Sequence, residues 1–382
     1  MQVNADLHIH SCFSMATSPG MVPENLIRAC GTKGISVLGS GDALHPGWQF
    51  LWSDYLDNDA GVLVIPTAEV EDQDRVHHLI MMPDFDGFSE LRSVLIPFSR
   101  DILNSGRPHV RLPGGRIAEI VHQAGGMIGP AHAFTPWTSV FACFDHIDEC
   151  YSGETVDFLE LGLSADTSYG AAIPDLYQVP FITNSDAHSP DPAKFGREFT
   201  RLSLNSCTVK GVLSAIKAGD IVMNVGFFPE EGKYNRTACT RCYEQYTPEQ
   251  AGEVRWRCPN DNGLIKKGVR DRARELSSGV PLERPPYLHM IPLGEIIQKT
   301  CNVSSTNTKK CLMMYAKLIS AFENEISVLT CTPVPDIREV DEAVADAIDA
   351  LRNNRISLQP GGGGRFGTFT LDLPGNAKVN RD

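Results

Sequence analysis

Long apolar runs and a leader pattern are both missing from this sequence of 382 residues. No stretch reaches the roughly 18 apolar residues of a membrane-spanning helix, so none is predicted. The chain opens on Val3 without a basic segment followed by an apolar one, so we expect no secretory signal and a cytoplasmic protein. The glycine run 361–364 lacks the Gly-Lys-Ser/Thr ending of a phosphate-binding loop, which favours a flexible turn.

Cysteine is present, but not in the pattern of a disulfide framework. The count of 11 is odd, and most of the cysteines lie far apart in the sequence. In a reducing compartment such residues are mainly small buried apolar side chains. Only the group that begins at Cys239 has the spacing of a metal site. With 42% apolar residues, the chain suits a globular core.

An excess of positive charge is also missing, since the formal net charge is −13. The charge is uneven, however, because residues 233–310 carry 14 Lys and Arg against 8 Asp and Glu, which is +6 and leaves −19 elsewhere. Acids are expected to be abundant where carboxylates bind metal, and a basic segment can contact the phosphates of a polyanion. The alternative is that the basic block only solvates one face.

The apolar pattern of residues 3–10 ends in two histidines separated by one residue. Side chains alternate along a strand, so His8 and His10 share one face while Leu7 and Ile9 point into packing. Neutral imidazole is a common zinc ligand, and two on one face supply half of a metal site. Two satisfied histidines near a chain terminus would give the same motif, so the rest of the chain must decide.

Short buried strands alternate with helical patterns along the first part of the chain. The sequence predicts helices over 23–33, 48–56, 88–104 and 116–123, and strands over 34–39, 61–65, 76–82, 127–129, 156–162 and 180–183. Such alternation predicts an α/β fold with a parallel sheet, open or closed into a barrel. An amphipathic helix is predicted over 339–352.

Histidines and acids cluster just after or at the edges of these strands. They are Asp42, His45, Glu69, His77, His78, His132, Glu160, Asp186 and His188. The carboxyl ends of barrel strands meet at one rim, so side chains from different strands converge there. A single histidine is more often a core residue, but this many at one predicted rim favours a polynuclear metal site.

The segments DLHIHS, GD..H, a Glu, HH, AH and SDAH, in this order, resemble the PHP (polymerase and histidinol phosphatase) superfamily over roughly residues 1–225. The resemblance implies a distorted (β/α)7 barrel that hydrolyses phosphoesters at a trinuclear centre of Zn²⁺, Mn²⁺ or Mg²⁺. The implied metal ligands are His8, His10, Asp42, His45, Glu69, His77, His132, Asp186 and His188, with Glu160 as a substitute ligand. His77 is preferred to His78 because it fits the H-x-L spacing of the family.

Roles within this implied site follow from residue type. Asp42, Glu69 and Asp186 are the carboxylates expected to bridge or share metals. His45 or His188 could assist proton movement if free of metal. All five are therefore candidate catalytic residues.

Longer segments are similar to the endonuclease Q family. They include PAHAFTPWTS at 130–139, NSDAHSP at 184–190 and RPPYLHMIPLGEII at 284–297, and the likeness runs through nearly the whole chain. It implies an endonuclease that nicks DNA 5′ to deaminated bases (hypoxanthine, uracil, xanthine) and abasic sites. It also implies three parts: a metal-dependent barrel over 1–228, a basic zinc-binding module over 229–282 and a helical C-terminal region over 283–382.

The cysteine group departs from a standard zinc ribbon. Cys239 and Cys242 form a C-x-x-C, which is followed by Cys258-Pro-x-Asp261 where a ribbon would carry a fourth cysteine. Because a carboxylate oxygen can also ligate zinc, we expect a structural Zn²⁺ on three thiolates and Asp261. A degenerate ribbon held by packing alone is the alternative.

Reading a lesion inside a duplex requires the damaged nucleotide to be extruded, so a DNA-cleaving enzyme needs an aromatic pocket and phosphate contacts. The pocket candidates are Phe13, Phe134, Trp137 and Tyr169. The phosphate-contact candidates are Arg197, Arg201, Arg255, Arg257, Lys266, Lys267, Arg270, Arg272 and Arg274.

Three alternative functions remain open from the sequence. A small-molecule phosphatase of the histidinol-phosphate type would use the same barrel but has no evident use for a basic cysteine module. An amidohydrolase also opens with H-x-H, but no lysine follows a middle strand here to carry its bridging carboxylate. A noncatalytic nucleic-acid-binding scaffold is disfavoured by the intact ligand positions.

Overall fold

The computed structural model describes residues 1–373, so residues 374–382 of the predicted C-terminal region lie outside the described residues. The first ten strands are β1 (Gln2–Asp6), β2 (Val37–Gly39), β3 (Leu63–Ile65), β4 (Thr67–Glu71), β5 (His77–Met81), β6 (Met127–Pro130), β7 (Leu159–Glu160), β8 (Phe181–Ile182), β9 (Phe199–Ser203) and β10 (Ile221–Gly226). The helices among them are α1 (Pro23–Lys33), α2 (Pro46–Trp52), α3 (Phe85–Leu95), α4 (Gly114–Gln123), α5 (Val140–Cys143), α6 (Ile147–Tyr151), α7 (Thr167–Gly170) and α8 (Val209–Ala218).

Shorter strands and most of the remaining helices follow. The strands are β11 (Ala238–Cys239), β12 (Ile265–Lys266), β13 (Tyr287–His289), β14 (Ile356–Gln359) and β15 (Thr368–Leu371). The helices are α9 (Pro248–Glu253), α10 (Val269–Leu276), α11 (Leu293–Thr300), α12 (Lys309–Phe322), α13 (Glu325–Thr330), α14 (Val334–Val340) and α15 (Glu342–Arg352). Within residues 1–373, no helix is long and apolar enough to cross a membrane.

The strands form a mixed α/β fold. A six-stranded sheet has the order β13-β10-β9-β1-β2-β3, in which β1, β2 and β3 run parallel and β9 runs antiparallel to both β1 and β10. β4, β5 and β6 form an antiparallel sheet, and β7 pairs with β8 in parallel. Across residues 1–373 the backbone pairing gives separate sheets rather than one closed ring of strands.

The predicted parallel pairing holds for β1, β2 and β3 and for β7 with β8, whereas other strands pair antiparallel. For the β4–β5 pair the reason is local. The Asp72 side chain accepts hydrogen bonds from the backbone N–H groups of Asp74 and Val76, both at 2.8 Å. These bonds close a tight turn, and a tight turn joins antiparallel strands only, because parallel strands need a long crossover.

Helix boundaries differ from the predicted ones where proline or a capping residue intervenes. The predicted helix 23–33 is confirmed as α1. The predicted helix 88–104 ends at Leu95, and Pro97 lies in a short 3₁₀ turn that follows. The predicted helix 339–352 is divided at Asp341, whose side chain accepts from the Val344 N–H and caps α15.

The C-terminal helices share a hydrophobic core with the N-terminal part of the chain. Trp48 and Trp52 of α2 are fully buried in the same cluster as Leu318 of α12 and Ile348 of α15. A buried ion pair also joins α1 to α13, with Lys33 Nζ 2.8 Å from a Glu325 carboxylate oxygen. The helical region is thus packed directly against the first sheet.

Candidate metal centre

Seven of the ten sequence-predicted ligands converge from β4, from the start of β5 and from the segments that follow β1, β6 and β8. They form three overlapping groups, each with its ligand atoms within 4.8 Å of one another. The groups are His8, His10 and Glu69; His10, Asp186 and His188; and Glu69, His77 and His132. Because His10 and Glu69 each belong to two groups, the three sets adjoin one another.

Glu69 lies at the centre of this cluster. Its Oε1 is 2.8 Å from Nδ1 of His77 and 3.0 Å from Nε2 of His132. Its Oε2 is 3.3 Å from Nε2 of His10 and 3.2 Å from the guanidinium of Arg107. Burial would raise the pKa of Glu69, but the charge of His77 and the hydrogen bonds of the histidines hold that pKa well below its usual range. Glu69 is therefore an anion whose two oxygens face different histidines.

Asp186 faces the other side of the cluster. Its Oδ1 lies 3.2 Å from Nε2 of His10 and 3.5 Å from Nε2 of His188. Among the described residues, this oxygen and the Nε2 atoms of His8 and His10 are buried without a hydrogen-bond partner of good geometry. An unsatisfied buried polar atom costs about 1–3 kcal/mol. Three such atoms around one space fit a site built for cations.

Carboxylates behind the histidines fix the orientation of the rings. Glu160 accepts from Nδ1–H of His8 at 2.9 Å, and Asp42 accepts from Nδ1–H of His10 at 3.1 Å. Histidines that bind metal commonly donate their other ring N–H to such a carboxylate. Burial opposes charging of His8, but Glu160 and Glu69 raise the pKa of its imidazole well above the usual value.

These contacts change the interpretation of Glu160 and Asp42, which the resemblance implied as metal ligands. The Glu160 oxygens also accept from the backbone N–H of His132 and the Asn184 amide, both at 2.8 Å. The Asp42 carboxylate also accepts from the Ser11 N–H at 2.6 Å and the Ser14 hydroxyl at 2.8 Å. Both carboxylates thus already accept hydrogen bonds from protein donors, which supports an orienting role beside the predicted ligation.

Glu71 is a residue that the sequence analysis missed. It accepts from Nε2–H of His77 at 3.1 Å, while Nδ1 of the same ring faces Glu69. Glu69 and Glu71 are two residues apart on β4 and so lie on one face. That spacing was a signal available in the sequence.

His45, which the resemblance also implied as a ligand, lies outside the three groups of converging ligand atoms found among the described residues. Its Nδ1 accepts from the backbone N–H of Trp48 at 3.2 Å and caps α2. Its ring stacks on Phe13 with 3.9 Å between the centroids. A helix cap and a metal ligand can use the same residue type, so sequence alone could not separate the two roles.

The turns that carry residues of the cluster, or residues hydrogen-bonded to it, contain strained backbone. Asp42, His132 and Asp186 have φ values of 47°, 32° and 47°, in the left-handed region that non-glycine residues rarely adopt. Such conformations cost of order 1–3 kcal/mol and are concentrated at functional sites. Gly162 lies against one of these turns, because a Cβ there would come within 2.7 Å of the His132 Cβ.

A cavity of about 560 Å³ lies over the cluster. Its mouth carries three aromatic side chains, namely Trp137, Tyr234 and Phe366. It also carries four cationic side chains, namely Arg75, Arg107, Arg197 and Lys233. Such a mouth can contact both the bases and the phosphates of a nucleic acid.

Of the four predicted pocket aromatics, only Trp137 lines this cavity. Phe134 is 2% exposed and stacks on Phe141 in the core. The Tyr169 hydroxyl accepts from the Asn235 amide at 2.8 Å, away from the cavity mouth. Phe13 lies against His45, as described above. Tyr234 and Phe366 were missed because only the tertiary fold brings them to Trp137.

The four residues of the cysteine group meet at one point. Sγ of Cys242 is 3.5 Å from Sγ of Cys258, and Sγ of Cys239 is 3.3 Å from an Asp261 carboxylate oxygen. Zn–S bonds of about 2.3 Å in a tetrahedron place sulfur atoms roughly 3.8 Å apart, so these spacings fit a bound zinc. The Gly263 N–H donates to Asp261 at 2.8 Å and orients the carboxylate.

Some of the side chains predicted to contact phosphates are exposed, and others already bond to groups of the protein. Arg255, Arg257 and Arg274 are exposed. Lys266 Nζ lies 4.0 Å from the Trp137 ring centroid, beside the cavity mouth. Arg201 donates to the Asn4 side chain at 2.9 Å.

Like Arg201, four more of the predicted cations already have protein partners. Arg197 donates to the Ser185 carbonyl at 3.2 Å, although its side chain also lines the cavity. Lys267 pairs with Glu275 at 2.7 Å, and Arg270 with Asp271 at 2.8 Å. The guanidinium of Arg272 donates to the carbonyls of Phe141 and Phe144 and pairs with Asp145 and Glu275. Arg272 therefore holds α10 in place rather than offering a free charge.

The fold and the cluster define a mixed α/β protein with a carboxylate–histidine cluster able to hold metal ions, as metal-dependent hydrolases use. Comparison with known proteins narrows this class. A family model, the MJ0043 C-terminal domain, matches residues 292–355. The uncharacterized protein MJ0043 of Methanocaldococcus jannaschii is 40% identical over 248 residues, which are 63% of this chain and 31% of that relative. This chain thus spans less than a third of the length of that relative.

Proteins that match this chain over nearly its whole length identify its family more closely. The uncharacterized protein YqxK of Bacillus subtilis is 31% identical over 401 residues, covering 96% of this chain and 98% of that protein. The crystal structure of the lesion-specific endonuclease PfuEndoQ from Pyrococcus furiosus matches with a TM-score of 0.93 and 39% identity over 99% of this chain and 98% of that chain. An endonuclease Q bound to a 27-mer duplex with an abasic lesion at its active site also matches with a TM-score of 0.93 and 39% identity, over 100% and 99% of the two chains. The chain belongs to the endonuclease Q family.

Proposed function

We propose that this protein is a metal-dependent endonuclease that nicks DNA on the 5′ side of deaminated bases and abasic sites. The observation that carries the proposal is the set of three overlapping ligand groups beneath a cavity with an aromatic and cationic mouth. The full-length likeness to a lesion-specific endonuclease supports the same conclusion. We further propose that the sheets described above form the distorted barrel implied by the sequence.

The seven converging residues are proposed to hold three divalent ions, which can be Zn²⁺, Mn²⁺ or Mg²⁺ because imidazole and carboxylate ligands suit all three to different degrees. When bound, such ions supply an activated water and neutralise charge on the leaving oxygen of a phosphodiester. Glu69 is placed to be shared between ions, and Asp186 to bind beside His10. Arg107, which contacts Glu69, can also pair with a phosphate oxygen.

Lesion recognition is proposed to occur at the cavity mouth. Extrusion of a nucleotide costs less when its base is mispaired or missing, which gives selectivity before any contact is made. Trp137 and Tyr234, whose ring centroids are 6.1 Å apart, can stack on the bases that remain in the duplex. Lys233 and Lys266 lie against aromatic rings at the same mouth and can contact the DNA backbone.

The cysteine group is proposed to bind one structural Zn²⁺ through Cys239, Cys242, Cys258 and Asp261. This zinc would fix the loop that joins β11 to the Lys266 strand, β12. Arg255 and Arg257 project from the same module and are exposed. A folded module therefore presents basic side chains next to the cavity mouth.

The test is incubation with Mn²⁺ or Mg²⁺ on end-labelled duplexes carrying one abasic site, one deoxyinosine or no lesion, beside a small phosphomonoester. We expect nicks at the two lesions only and a loss of more than about 100-fold in Glu69→Gln, since even residues behind the ligands cost 10–100-fold. Glu90→Gln, an exposed glutamate on α3, is the matched control and should nick normally. Release of phosphate from the monoester without DNA cleavage would instead identify a small-molecule phosphatase.

A further inference from the structure

Residues 185–197, here called the Asp186 segment, carry two of the converging ligands, Asp186 and His188. The start of this segment is held by backbone hydrogen bonds. The His10 N–H donates to the Ala187 carbonyl at 3.0 Å, and the Ser18 N–H donates to the His188 carbonyl at 2.8 Å. The later residues of the segment make their contacts with other elements of the fold.

Lys33 contacts the later part of the Asp186 segment. Pro192 lies four residues after His188, and its carbonyl accepts a hydrogen bond from Lys33 Nζ at 2.7 Å. Lys33 is the last residue of α1 and is only 1% exposed. Its aliphatic stem packs on Gly196, where a Cβ would come within 2.8 Å of the Lys33 Cγ. One buried lysine thus contacts the segment at two residues.

Glu325, the first residue of α13, fixes the position of the Lys33 ammonium. Its Oε1 lies 2.8 Å from Lys33 Nζ and accepts from the Leu293 N–H at 3.0 Å. Its Oε2 accepts from the Tyr315 hydroxyl at 2.7 Å. Glu325 is fully buried, and its partners belong to α1, α11 and α12. One carboxylate therefore connects the C-terminal helices to the lysine that contacts the Asp186 segment.

A buried ion pair is a weak source of stability. Transfer of both charges out of water costs free energy that their attraction regains only in part, and apolar residues of the same volume often give equal or greater stability. Stability alone therefore does not account for Lys33 and Glu325. An apolar pair would lack a hydrogen-bond donor for the Pro192 carbonyl, and this donor is what the charged pair adds.

We propose that the C-terminal helices take part in metal binding, because Glu325 and Lys33 position the Asp186 segment. Glu325 holds the ammonium, and the ammonium holds the Pro192 carbonyl, so that the segment presents Asp186 and His188 to a shared ion. Glu325 and Lys33 are positioning residues, since they act through the backbone of the segment. The proposal rests on the proposed function only for the assumption that Asp186 and His188 bind metal.

The first experiment is a calorimetric titration of metal-depleted protein with Mn²⁺, without DNA. The variant Lys33→Met/Glu325→Gln removes both charges together, and its glutamine still offers an oxygen to the Leu293 N–H. We expect this double variant to be as stable as the natural protein in urea unfolding. It should bind one ion with a Kd at least about tenfold larger, as for other groups behind metal ligands. The binding step that changes should be the one that Asp186→Asn removes.

Lys317→Met is the matched control. Lys317 also donates to a backbone carbonyl, that of Val340 at 2.9 Å, but both residues lie in the C-terminal helices. Its titration should match that of the natural protein. In nicking of the abasic duplex, the double variant should have a lower kcat at low Mn²⁺, an unchanged KM for DNA and full recovery at high Mn²⁺. A defect of folding alone would instead lower the stability in urea.

The second experiment measures the reverse effect on the natural protein. Coupling between two sites is mutual, so an ion that orders the Asp186 segment should also stabilise α13. Hydrogen exchange followed by mass spectrometry should show slower exchange in α13 than in α8 when Mn²⁺ is added. Asp186→Asn should abolish this slowing. The measurement does not depend on the folding of the double variant.

The two experiments can each overturn the proposal. An unchanged Kd in the double variant at unchanged stability would do so, as would exchange in α13 that does not respond to Mn²⁺. Neither measurement uses DNA, so the proposal can fail while the natural protein still nicks lesion-containing duplexes. Failure of the natural protein to nick any lesion would reject the proposed function, and the two metal-binding measurements would still decide this proposal.

Discussion

Replacement of Glu160 by glutamine should weaken metal binding without removing a ligand. All the partners of this carboxylate are donors, namely the His8 ring, the His132 backbone N–H and the Asn184 amide, at 2.8–3.0 Å. A glutamine presents one NH₂ group in place of one oxygen, so that group faces donors and cannot accept from them. An unsatisfied buried group costs about 1–3 kcal/mol, which corresponds to a loss of about 5–150-fold and spans the range of about 10–100-fold found for groups behind metal ligands.

Metal binding is measured by calorimetry while metal-depleted protein is titrated with Mn²⁺. Nicking of the abasic duplex is measured on the same samples. Glu160→Gln should bind the same number of ions with a 10–100-fold larger Kd. It should recover nicking as the metal concentration rises. Glu154→Gln is the matched control, because Glu154 also pairs with a histidine, His122, at 3.1 Å but outside the cluster.

The outcome separates the two roles considered for Glu160. If it is a direct ligand, the variant should lack about one ion even at saturating metal, and nicking should not recover. An unchanged Kd would refute both roles. If Glu160 only orients His8, the variant should bind the full number of metal ions, but with a larger Kd.

Other predictions follow from single contacts. Gly162→Ala should reduce nicking more than about 100-fold, because its Cβ would fall 2.7 Å from the His132 Cβ; Gly153→Ala, also at positive φ but in open space, should retain activity. Asp261→Ala should lower the zinc content of the full-length protein by about one equivalent, measured by elemental analysis, whereas Asp261→Cys should keep it; equal zinc in all three would exclude Asp261 as a required ligand. Burial raises the pKa of Glu198 to about 8 from an unfolded value near 4.5, so the folded state holds the extra proton and its stability falls as pH rises between these values. Glu198→Gln should therefore be more stable than the natural protein by up to about 5 kcal/mol in urea unfolding at pH 9 and about equal at pH 4.5; an advantage that grows as pH falls would contradict this assignment.

The sequence predicted site residues where they follow the ends of strands or lie close together in the chain. Alternation along β1 placed His8 and His10 on one side, and the acids and histidines after later strands lie in the same cluster. The C-x-x-C and C-P-x-D spacings likewise bring Cys239 and Asp261 together. Within each short motif the backbone fixes the relative positions of the side chains, and the convergence of the strand ends brings the separate motifs together.

Other features depend on contacts that no local pattern encodes. Whether Asp42 binds a metal or orients His10 depends on the donors around it, and Ser11 and Ser14 occupy its second oxygen. His45 caps a helix, a role that a histidine-rich rim does not distinguish from metal binding. Phe366 reaches the cavity mouth from a segment far along the chain.

The alternation of strands and helices in the sequence also could not predict the direction of the strands. β9 and β10 are joined through the helix α8 yet run antiparallel, and β9 inserts between β10 and β1. A helix between two strands usually indicates a parallel crossover. Here the register of β9 against both neighbours decides the pairing, and this depends on packing across the whole sheet.

The nick can be mapped at single-nucleotide resolution on a duplex with one deoxyinosine, with Mn²⁺ and an excess of undamaged duplex. A metal-dependent lesion endonuclease should make one cut, at the phosphodiester 5′ to the deoxyinosine, abolished by metal chelation and by Asp186→Asn. Cleavage at the same rate in the undamaged duplex, or cleavage that survives both changes, would contradict the proposed function.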